Sequence, residues 1–126
     1  MLFRSAVVDP KWLEGTPIYR QLRDRVVAMI LEGTLKEGDP LPSVRNVAAE
    51  FRLNPLTVLK GYQALVEEKL VEKRRGLGMY VSVGARAALM TDERRRFLEH
   101  EWPKTHATIQ RLGLDLQQLL KVEKND

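Results

Sequence analysis

Residues 43–67, SVRNVAAEFRLNPLTVLKGYQALVE, contain two apolar patterns of helical period that are separated by a tight turn. Ser43 can cap the first of these helices, because its hydroxyl can accept a hydrogen bond from a free backbone amide of the first turn. Asn54 can cap the second helix in the same way, and Pro55 then takes the first helical position, where a missing N–H costs nothing. The stretch therefore predicts two helices that meet at a turn within Arg52-Leu53. The residues expected on their inner faces are Val44, Val47, Ala48, Phe51, Val58, Tyr62 and Leu65.

A longer helix is predicted upstream of this pair. Thr16 is a suitable cap residue, Pro17 fits the first helical position, and Gly33 is a natural end. The apolar residues between them recur at spacings of three and four, which indicates one buried face. Tyr19 and Tyr62 are expected in the core rather than at a binding surface, since a buried tyrosine hydroxyl needs only one partner. The apolar face of this first helix comprises Ile18, Leu22, Val26, Met29 and Ile30.

Downstream of the helices, the apolar pattern changes to a period of two. Leu70–Lys73 and Met79–Val83 are predicted strands, and the segment Arg74–Gly78 between them contains two glycines that suit a hairpin turn. Three helices followed by a hairpin form a winged helix-turn-helix domain, to which we assign residues 1–84. The predicted fold class is mainly α with a small β-hairpin, followed by a short helical tail.

Residues 85–126 form this tail, which is predicted to be helical and is rich in large apolar side chains. Gly113 breaks the pattern, and Pro103 predicts a kink or a fresh helix start. A segment of about 40 residues cannot bury so many apolar groups by itself. We therefore expect a second copy of the chain to cover them, which makes the segment a dimerisation tail. The side chains expected in the dimer interface are Phe97, Leu98, Trp102, Ile109, Leu112, Leu116, Leu119 and Leu120.

The net charge of +4 is concentrated in one part of the chain. Residues 51–86 carry seven basic and three acidic side chains, whereas the segments on either side are balanced. A local positive patch attracts a polyanion by releasing its condensed counterions. The same charges could also form an ordinary solvated face, and charge alone does not decide between the two interpretations.

Composition argues against several other classes of protein. The chain has no cysteine, which excludes disulfides and thiolate metal sites, and residues 1–10 lack a signal-peptide core. No apolar run approaches the ~20 residues of a membrane span, so we expect a cytoplasmic protein. His100 and His106 are too poorly spaced to share a helical face, and Ser43 is already explained as a cap. We therefore expect no enzymatic activity, no metal and no cofactor.

The helix-turn-helix plan itself suggests double-stranded DNA as the partner. The major groove admits one α-helix, and its base edges carry donors and acceptors that the start of the second helix of the motif can meet. Free amides at that helix start attract phosphate, and a basic hairpin tip can contact the backbone. Lys60 could equally be an ordinary surface lysine, and Arg74 and Arg75 could form a solvated turn. The residues expected near DNA on these grounds are Asn54, Pro55, Leu56, Thr57, Lys60, Arg74, Arg75 and Gly76.

Four blocks of sequence in this order resemble the GntR family of bacterial regulators. They are PIYRQL at 17–22, GDPLPSVR at 38–45, NPLTVLKGYQAL at 54–65 and RRGLGMYV at 74–81. The resemblance spans residues 16–83, and the short helical tail is similar to that of the YtrA-type subfamily. It implies a bacterial regulator that dimerises through a two-helix tail, without a large ligand-binding domain, and that often represses transporter operons.

The resemblance also implies roles for individual residues. Arg45 is expected to contact DNA from the second helix, next to the Ser43 cap, with help from Asn54, Thr57 and the wing residues Arg75 and Gly76. Other positions depart from the family pattern. Arg52 and Lys69 stand where glycine is usual, so that the turn at Arg52 is expected to be strained. Leu56 replaces a commonly polar residue, so that it either contacts a thymine methyl group or alters the sequence preference. Pro103 interrupts a tail helix that is normally continuous.

Together these features predict a dimeric repressor that binds an inverted-repeat operator, with half-sites about one helical turn (~34 Å) or a small multiple apart. Two alternatives remain open. The winged domain could be a protein-interaction or RNA-binding module, which predicts no sequence preference among DNA duplexes. The chain could also be the DNA-binding head of a larger enzyme, although nothing in its sequence requires one. A small-molecule effector is compatible with the sequence but not indicated by it.

Overall fold

The computed structural model describes residues 12–121, which divide into two compact units after Met90. Residues 1–10, in which we expected no signal-peptide core, lie outside the described part of the chain. The described residues of the first unit, 12–90, contain three helices, a two-stranded antiparallel sheet and the start of a fourth helix. Within residues 12–121, no helix is long and apolar enough to cross a membrane. The helices and strands of this unit are α1 (Ile18–Glu32), α2 (Val44–Phe51), α3 (Pro55–Glu67), β1 (Val71–Arg74), β2 (Gly78–Val81) and α4 (Ala85–Arg96).

This order confirms the predicted winged helix-turn-helix fold. Ser43 Oγ accepts a hydrogen bond from the Asn46 amide at 3.1 Å, and Asn54 Oδ1 accepts one from the Leu56 amide at 2.9 Å, so both predicted caps are confirmed. Pro55 stands in the first turn of α3, and Gly33 ends α1 with a left-handed φ of 88°. The hairpin is also confirmed, although its strands lie at 71–74 and 78–81 rather than at 70–73 and 79–83.

The start of α1 differs from the prediction. Pro17 is itself the cap position, without a side-chain hydrogen bond, and Thr16 does not cap the helix. The reason lies in Gln21, a buried polar residue of α1. Its side-chain amide donates to the carbonyl oxygens of Leu13 and Thr16 at 2.9 and 2.7 Å, and its Oε1 accepts from the Leu13 amide at 2.7 Å. The segment before α1 is therefore held against the helix by Gln21, and by Arg25, whose guanidinium lies over the Trp12 ring at 5.3 Å from the centroid, instead of by a cap.

The turn between α2 and α3 is strained, as its sequence predicts. Arg52 has a φ of 55°, and Lys69 at the end of α3 has a φ of 64°.

The left-handed conformation costs a residue with a Cβ about 1–2 kcal/mol, whereas the extra freedom of an unfolded glycine costs about 0.5–1 kcal/mol. Arg52→Gly is therefore expected to raise the free energy of unfolding by about 0.5–1 kcal/mol in urea denaturation. Ala49→Gly, on the exposed side of α2, is the control and is expected to lower it by about 1 kcal/mol.

One hydrophobic cluster packs the three helices onto the hairpin, and it includes most of the inner faces predicted from the sequence. Ile18, predicted on the apolar face of α1, is only partly buried and does not belong to it. Tyr62 is buried at 1% exposure, but Tyr19 is only partly buried, so the prediction for Tyr19 is correct only in part. Val44 and Phe51 are partly buried and pack against the cluster. The largest fully buried side chains are Tyr62, Leu22, Met29, Ile30, Leu35, Leu65, Val26, Val47, Val58, Val71 and Val81.

Gly61 allows α1 and α3 to approach closely. A Cβ at this position would lie 2.9 Å from the backbone oxygen of Tyr19, closer than real Cβ contacts. Gly61→Ala is expected to lower the free energy of unfolding by about 1–2 kcal/mol, because overpacking of about 1–3 kcal/mol exceeds the ~1 kcal/mol gained in helix propensity. Urea denaturation measures the change. The control is Gln63→Ala on the exposed face of the same helix, with an expected change within ~0.5 kcal/mol. A stabilised Gly61→Ala protein would contradict the close approach.

The second unit begins within α4, and its residues up to 121 are mostly helical. A π-helical turn (Phe97–Glu101) follows α4 and leads into α5 (Trp102–Arg111), and α6 (Leu116–Leu119) follows after a turn. The predicted irregularity at Pro103 takes the form of this π-helical turn, in which the Trp102 amide donates to the Phe97 carbonyl five residues back. A proline ring collides with the carbonyl four residues earlier in an α-helix, and the wider turn avoids this collision. Gly113, with a φ of 68°, separates α5 from α6 as predicted.

Candidate nucleic-acid interface

The start of α3 is an exposed, polar-capped helix end. Asn54, Pro55 and Leu56 are all exposed, and 71% of the Leu56 side chain is accessible. Thr57, which we expected on the exposed first turn, is partly buried. The inner face of α3 points into the core, so the opposite face, which carries Leu56 and Lys60, is presented to solvent. A major groove could receive this face of the helix.

The start of α2 lies close to α3 through a specific link. The Tyr62 hydroxyl of α3 donates to the Pro42 carbonyl oxygen at 2.7 Å, and burial raises the pKa of this hydroxyl well above its usual value. Pro42 immediately precedes Ser43, so the link holds the first turn of α2 at a fixed place beside the recognition helix. Arg45 is exposed on that first turn, whereas the Ser43 hydroxyl is occupied by the cap.

The hairpin, or wing, presents its two arginines differently. Arg74 donates from Nε and Nη2 to Glu72 Oε1 at 3.1 and 3.0 Å, and its guanidinium lies over the Tyr80 ring at 4.1 Å from the centroid. Its charge is thus partly compensated and its position restrained. Arg75 and Gly76 form the exposed tip, where Gly76 adopts a φ of 75° that a side chain would disfavour. Arg75 is therefore the better placed of the two arginines for a phosphate.

Lys60 points away from the start of α3. Its Nζ lies over the Tyr19 ring of α1 at 4.3 Å from the centroid, a cation–π contact. Nearby, Arg23 of α1 forms an ion pair with Glu68 at the end of α3 and another with Asp24. The hydrogen bond to Glu68 raises the pKa of Arg23, against an opposing effect of burial. In the cleft between α1 and α3, the charge of Arg23 is therefore compensated by Asp24 and Glu68, so the cleft is a poor phosphate site.

The wing is also tied to the segment that enters α2. Leu41 donates its amide to the Met79 carbonyl at 2.8 Å, the Val81 amide donates to the Asp39 carbonyl at 2.9 Å, and the Gly38 amide donates to the Val81 carbonyl at 2.8 Å. β2 therefore has backbone partners on both edges, β1 on one side and residues 38–41 on the other. The segment that enters α2 is thus bonded both to β2 of the wing and, through Pro42, to Tyr62 of α3.

One side chain on this surface was missed by the sequence analysis. Leu59 is partly exposed and lines a groove between α3 and the wing, together with Gln63, Lys73 and Met79. An apolar residue in a helix is usually assigned to the core, and its exposure depends on where the hairpin packs. Glu72 and Tyr80 were missed for the same reason, since their contact with Arg74 requires the folded hairpin.

The predicted interface residues of the second unit are largely uncovered. Between 38% and 68% of each leucine side chain among them is accessible, and Phe97 is 49% exposed. Trp102 and Ile109 are partly buried. Trp102 packs near the rings of Phe97 and His106, with centroid distances of 6.5 and 5.3 Å. Within residues 12–121, no group of three or more His, Cys, Asp or Glu side chains could hold a metal ion. The exposed leucines of this set are Leu98, Leu112, Leu116, Leu119 and Leu120.

Comparison with known proteins gives consistent matches. The model of the family described as "Bacterial regulatory proteins, gntR family" matches residues 18–81. The HTH-type transcriptional repressor YtrA of Bacillus subtilis is 41% identical over 83 residues, which are 66% of this chain and 62% of that protein. This chain therefore spans less than two thirds of the length of that relative.

Two further matches extend over most of the chain. The HTH-type transcriptional regulator YhcF of Bacillus subtilis is 30% identical over 115 residues, which are 90% of this chain and 93% of the relative. A GntR family transcriptional regulator from Listeria monocytogenes has a similar structure, with a TM-score of 0.68 and 26% identity. That match covers 91% of this chain and 99% of the other, so it includes the helical tail as well as the winged domain.

Proposed function

Since the chain belongs to the gntR family of bacterial regulatory proteins and is a DNA-binding transcription regulator, we propose that it is a repressor that binds an inverted-repeat operator as a homodimer. The predicted resemblance to GntR regulators, and to their YtrA-type members in particular, is confirmed by the matches above. Proteins of this family are regulators and not enzymes, as predicted. The observation that carries the proposal is the exposed start of α3 in a helix-turn-helix, in which Tyr62 of α3 also holds the start of α2, where Arg45 is exposed.

In the proposed complex, the first turn of α3 enters the major groove. Asn54 and Thr57 lie at this end of the helix, and the free amides there favour a nearby phosphate. Arg45 reaches the DNA from the first turn of α2, where a guanidinium can form paired hydrogen bonds with a phosphate or a guanine. Arg75 and Gly76 at the wing tip contact the neighbouring backbone or minor groove. The residues predicted from the sequence to lie at the DNA interface remain part of this proposal, although Ser43, Lys60 and Arg74 also make contacts within the protein. They are Ser43, Arg45, Asn54, Pro55, Leu56, Thr57, Lys60, Arg74, Arg75 and Gly76.

The tail, proposed to comprise residues 85–126 after a DNA-binding domain of residues 1–84, forms the dimer interface. Its exposed leucines and Phe97 support this assignment, because clustered apolar side chains of this size on a small unit mark a protein–protein contact. A twofold dimer presents two copies of α3 to the DNA. The operator is then an inverted repeat, whose half-sites are separated by about one helical turn (~34 Å) or a small multiple of it.

Repression follows from occupancy of the operator, since a bound dimer obstructs transcription from an overlapping promoter. The relative YtrA is named as a transcriptional repressor, which supports repression rather than activation by this chain. Such a regulator acts in the cytoplasm, where the bacterial chromosome lies.

The proposed function can be tested by selecting binding sites from random duplex DNA with the full chain. The affinities of the enriched duplexes are then measured at two salt concentrations. Enrichment of an inverted repeat that is bound at least ~10³-fold more tightly than scrambled DNA is the expected result. Binding without enrichment, with a steep loss at higher salt, would mean that the basic patch is only an electrostatic surface. The alternative of a protein-interaction or RNA-binding module would then be favoured.

A further inference from the structure

The solvent-facing side of α3 begins with apolar side chains. Leu56 lies in the first turn, and 71% of its surface is accessible. Leu59 follows three positions later, which places it on the same side of the helix. Leu59 is partly exposed, and within residues 12–121 it does not belong to the buried cluster or to the side chains packed against it. Neither leucine is therefore explained by the stability of the winged domain.

Two of the charged side chains near these leucines are engaged in contacts within the protein. Lys60 is drawn toward Tyr19 of α1, and Arg74 is held by Glu72 and the Tyr80 ring. Beside Leu59, the groove toward the wing is lined by Gln63, Val66, Glu67, Lys73 and Met79. Its one carboxylate, Glu67, is the last residue of α3 and lies at the opposite end of the helix from Leu56. The middle of this surface is thus apolar, and cationic groups lie on its wing side at Lys73 and Arg75. Such a surface fits a major groove whose floor offers an apolar group and whose edge is formed by phosphates.

Thymine is the base that offers an apolar group in the major groove, its 5-methyl. A leucine placed against any other base edge would take donors or acceptors out of water without pairing them, which is unfavourable. Positions three apart on a helix have Cβ atoms about 5–6 Å from each other, which is more than one base-pair rise of ~3.4 Å and less than two. Leu56 and Leu59 can therefore contact neighbouring base pairs.

We propose that Leu56 and Leu59 select thymines through their 5-methyl groups, so that each operator half-site carries thymines, on either strand, at two neighbouring base pairs. This inference rests on the proposed function, because it requires α3 to lie in the major groove. The same chemistry predicts that 5-methylcytosine, which presents an equivalent methyl group, is accepted better than cytosine at the same positions.

The test removes single methyl groups from the DNA. In the operator obtained by selection, each thymine is replaced in turn by deoxyuridine, and the affinity of the full chain is measured at constant salt. We expect a loss of about fourfold for each contacted methyl, the equivalent of one buried methylene at ~0.8 kcal/mol, at two neighbouring base pairs of each half-site. At the other thymines we expect no change.

Protein variants then assign each methyl to a side chain. Leu56→Ala is expected to abolish the difference in affinity between operators that carry thymine and operators that carry deoxyuridine at one of the two base pairs. Leu59→Ala is expected to abolish it at the other. Val83→Ala is the matched control, because Val83 is apolar, is 88% exposed and lies outside α3 and the wing tip. This variant should retain the affinity difference between thymine and deoxyuridine at both base pairs. An operator that binds equally well with deoxyuridine at every thymine would overturn the inference while the proposed function stands. Failure to select any operator would overturn both.

Discussion

Arg45→Ala is expected to weaken binding to the selected operator by about 30-fold or more at matched salt, because a charge-assisted contact to a base or phosphate is worth about 1–3 kcal/mol and is lost in both half-sites. Arg45 is exposed on the first turn of α2, and the bond between Tyr62 and Pro42 fixes that turn beside α3. Removal of the side chain therefore deletes a contact without disturbing the fold. Fluorescence anisotropy with operator and scrambled duplexes measures the effect.

The control for Arg45→Ala is Arg94→Ala. It removes the same charge from an exposed position in the second unit, outside the winged domain. We expect Arg94→Ala to lose at most twofold in operator affinity, since an exposed charge that does not contact the DNA is largely screened at physiological salt. Unchanged operator affinity of Arg45→Ala would show that Arg45 is not in the DNA interface. An equal loss of affinity in both variants would show that Arg45 contributes only through the net charge of the protein.

The combined substitution Leu98→Glu and Leu112→Glu is expected to separate the proposed dimer into monomers and to lower affinity for the proposed inverted repeat by about 10²–10⁴-fold. Both side chains are about 60% exposed in the chain, so the new carboxylates leave its fold intact but cannot be buried against a second copy. A dimer gains the second half-site at a high effective concentration, and a monomer loses this gain. Sedimentation measures the assembly state, and anisotropy measures the affinity for one and for two half-sites.

Val83→Glu is the matched control for the tail variant, because Val83 is an exposed apolar residue of the first unit. It should remain dimeric and bind the full operator. Dimers of the doubly substituted chain would refute the role proposed for the tail. Substitution is preferable to trimming the chain after Val83, since Ala85 and Leu89, at the start of the proposed tail, are buried in the hydrophobic cluster of the first unit and would be lost with the tail.

The parts of this structure that the sequence predicts are those encoded by local signals. Ser43 and Asn54 lie within one turn of the amides that they cap, and the glycines of the hairpin and of α1 stand where the backbone needs them. The strain at Arg52 was predictable because a side chain there stands at a position where the family uses glycine. In each case the determining contact spans only a few residues.

The parts that the sequence does not predict depend on contacts between distant segments. Thr16 fails as a cap because Gln21 holds the preceding segment, and Lys60 turns toward Tyr19 because α1 packs beside α3. The exposure of Leu59 follows from where the hairpin packs. Periodicity places a residue on a face of its own helix but does not specify what lies opposite that face.

The double-sided pairing of β2 affects how quickly the protein can bind its operator. Because the wing is hydrogen-bonded to residues 38–41 as well as to β1, and those residues lead directly into α2, the wing and the helix-turn-helix form one preorganised reading head. The conformational entropy of ordering the wing is lost during folding and not at the moment of association. Encounter with DNA can then proceed at a rate governed by diffusion and by electrostatic attraction of the basic patch, without a slow loop rearrangement.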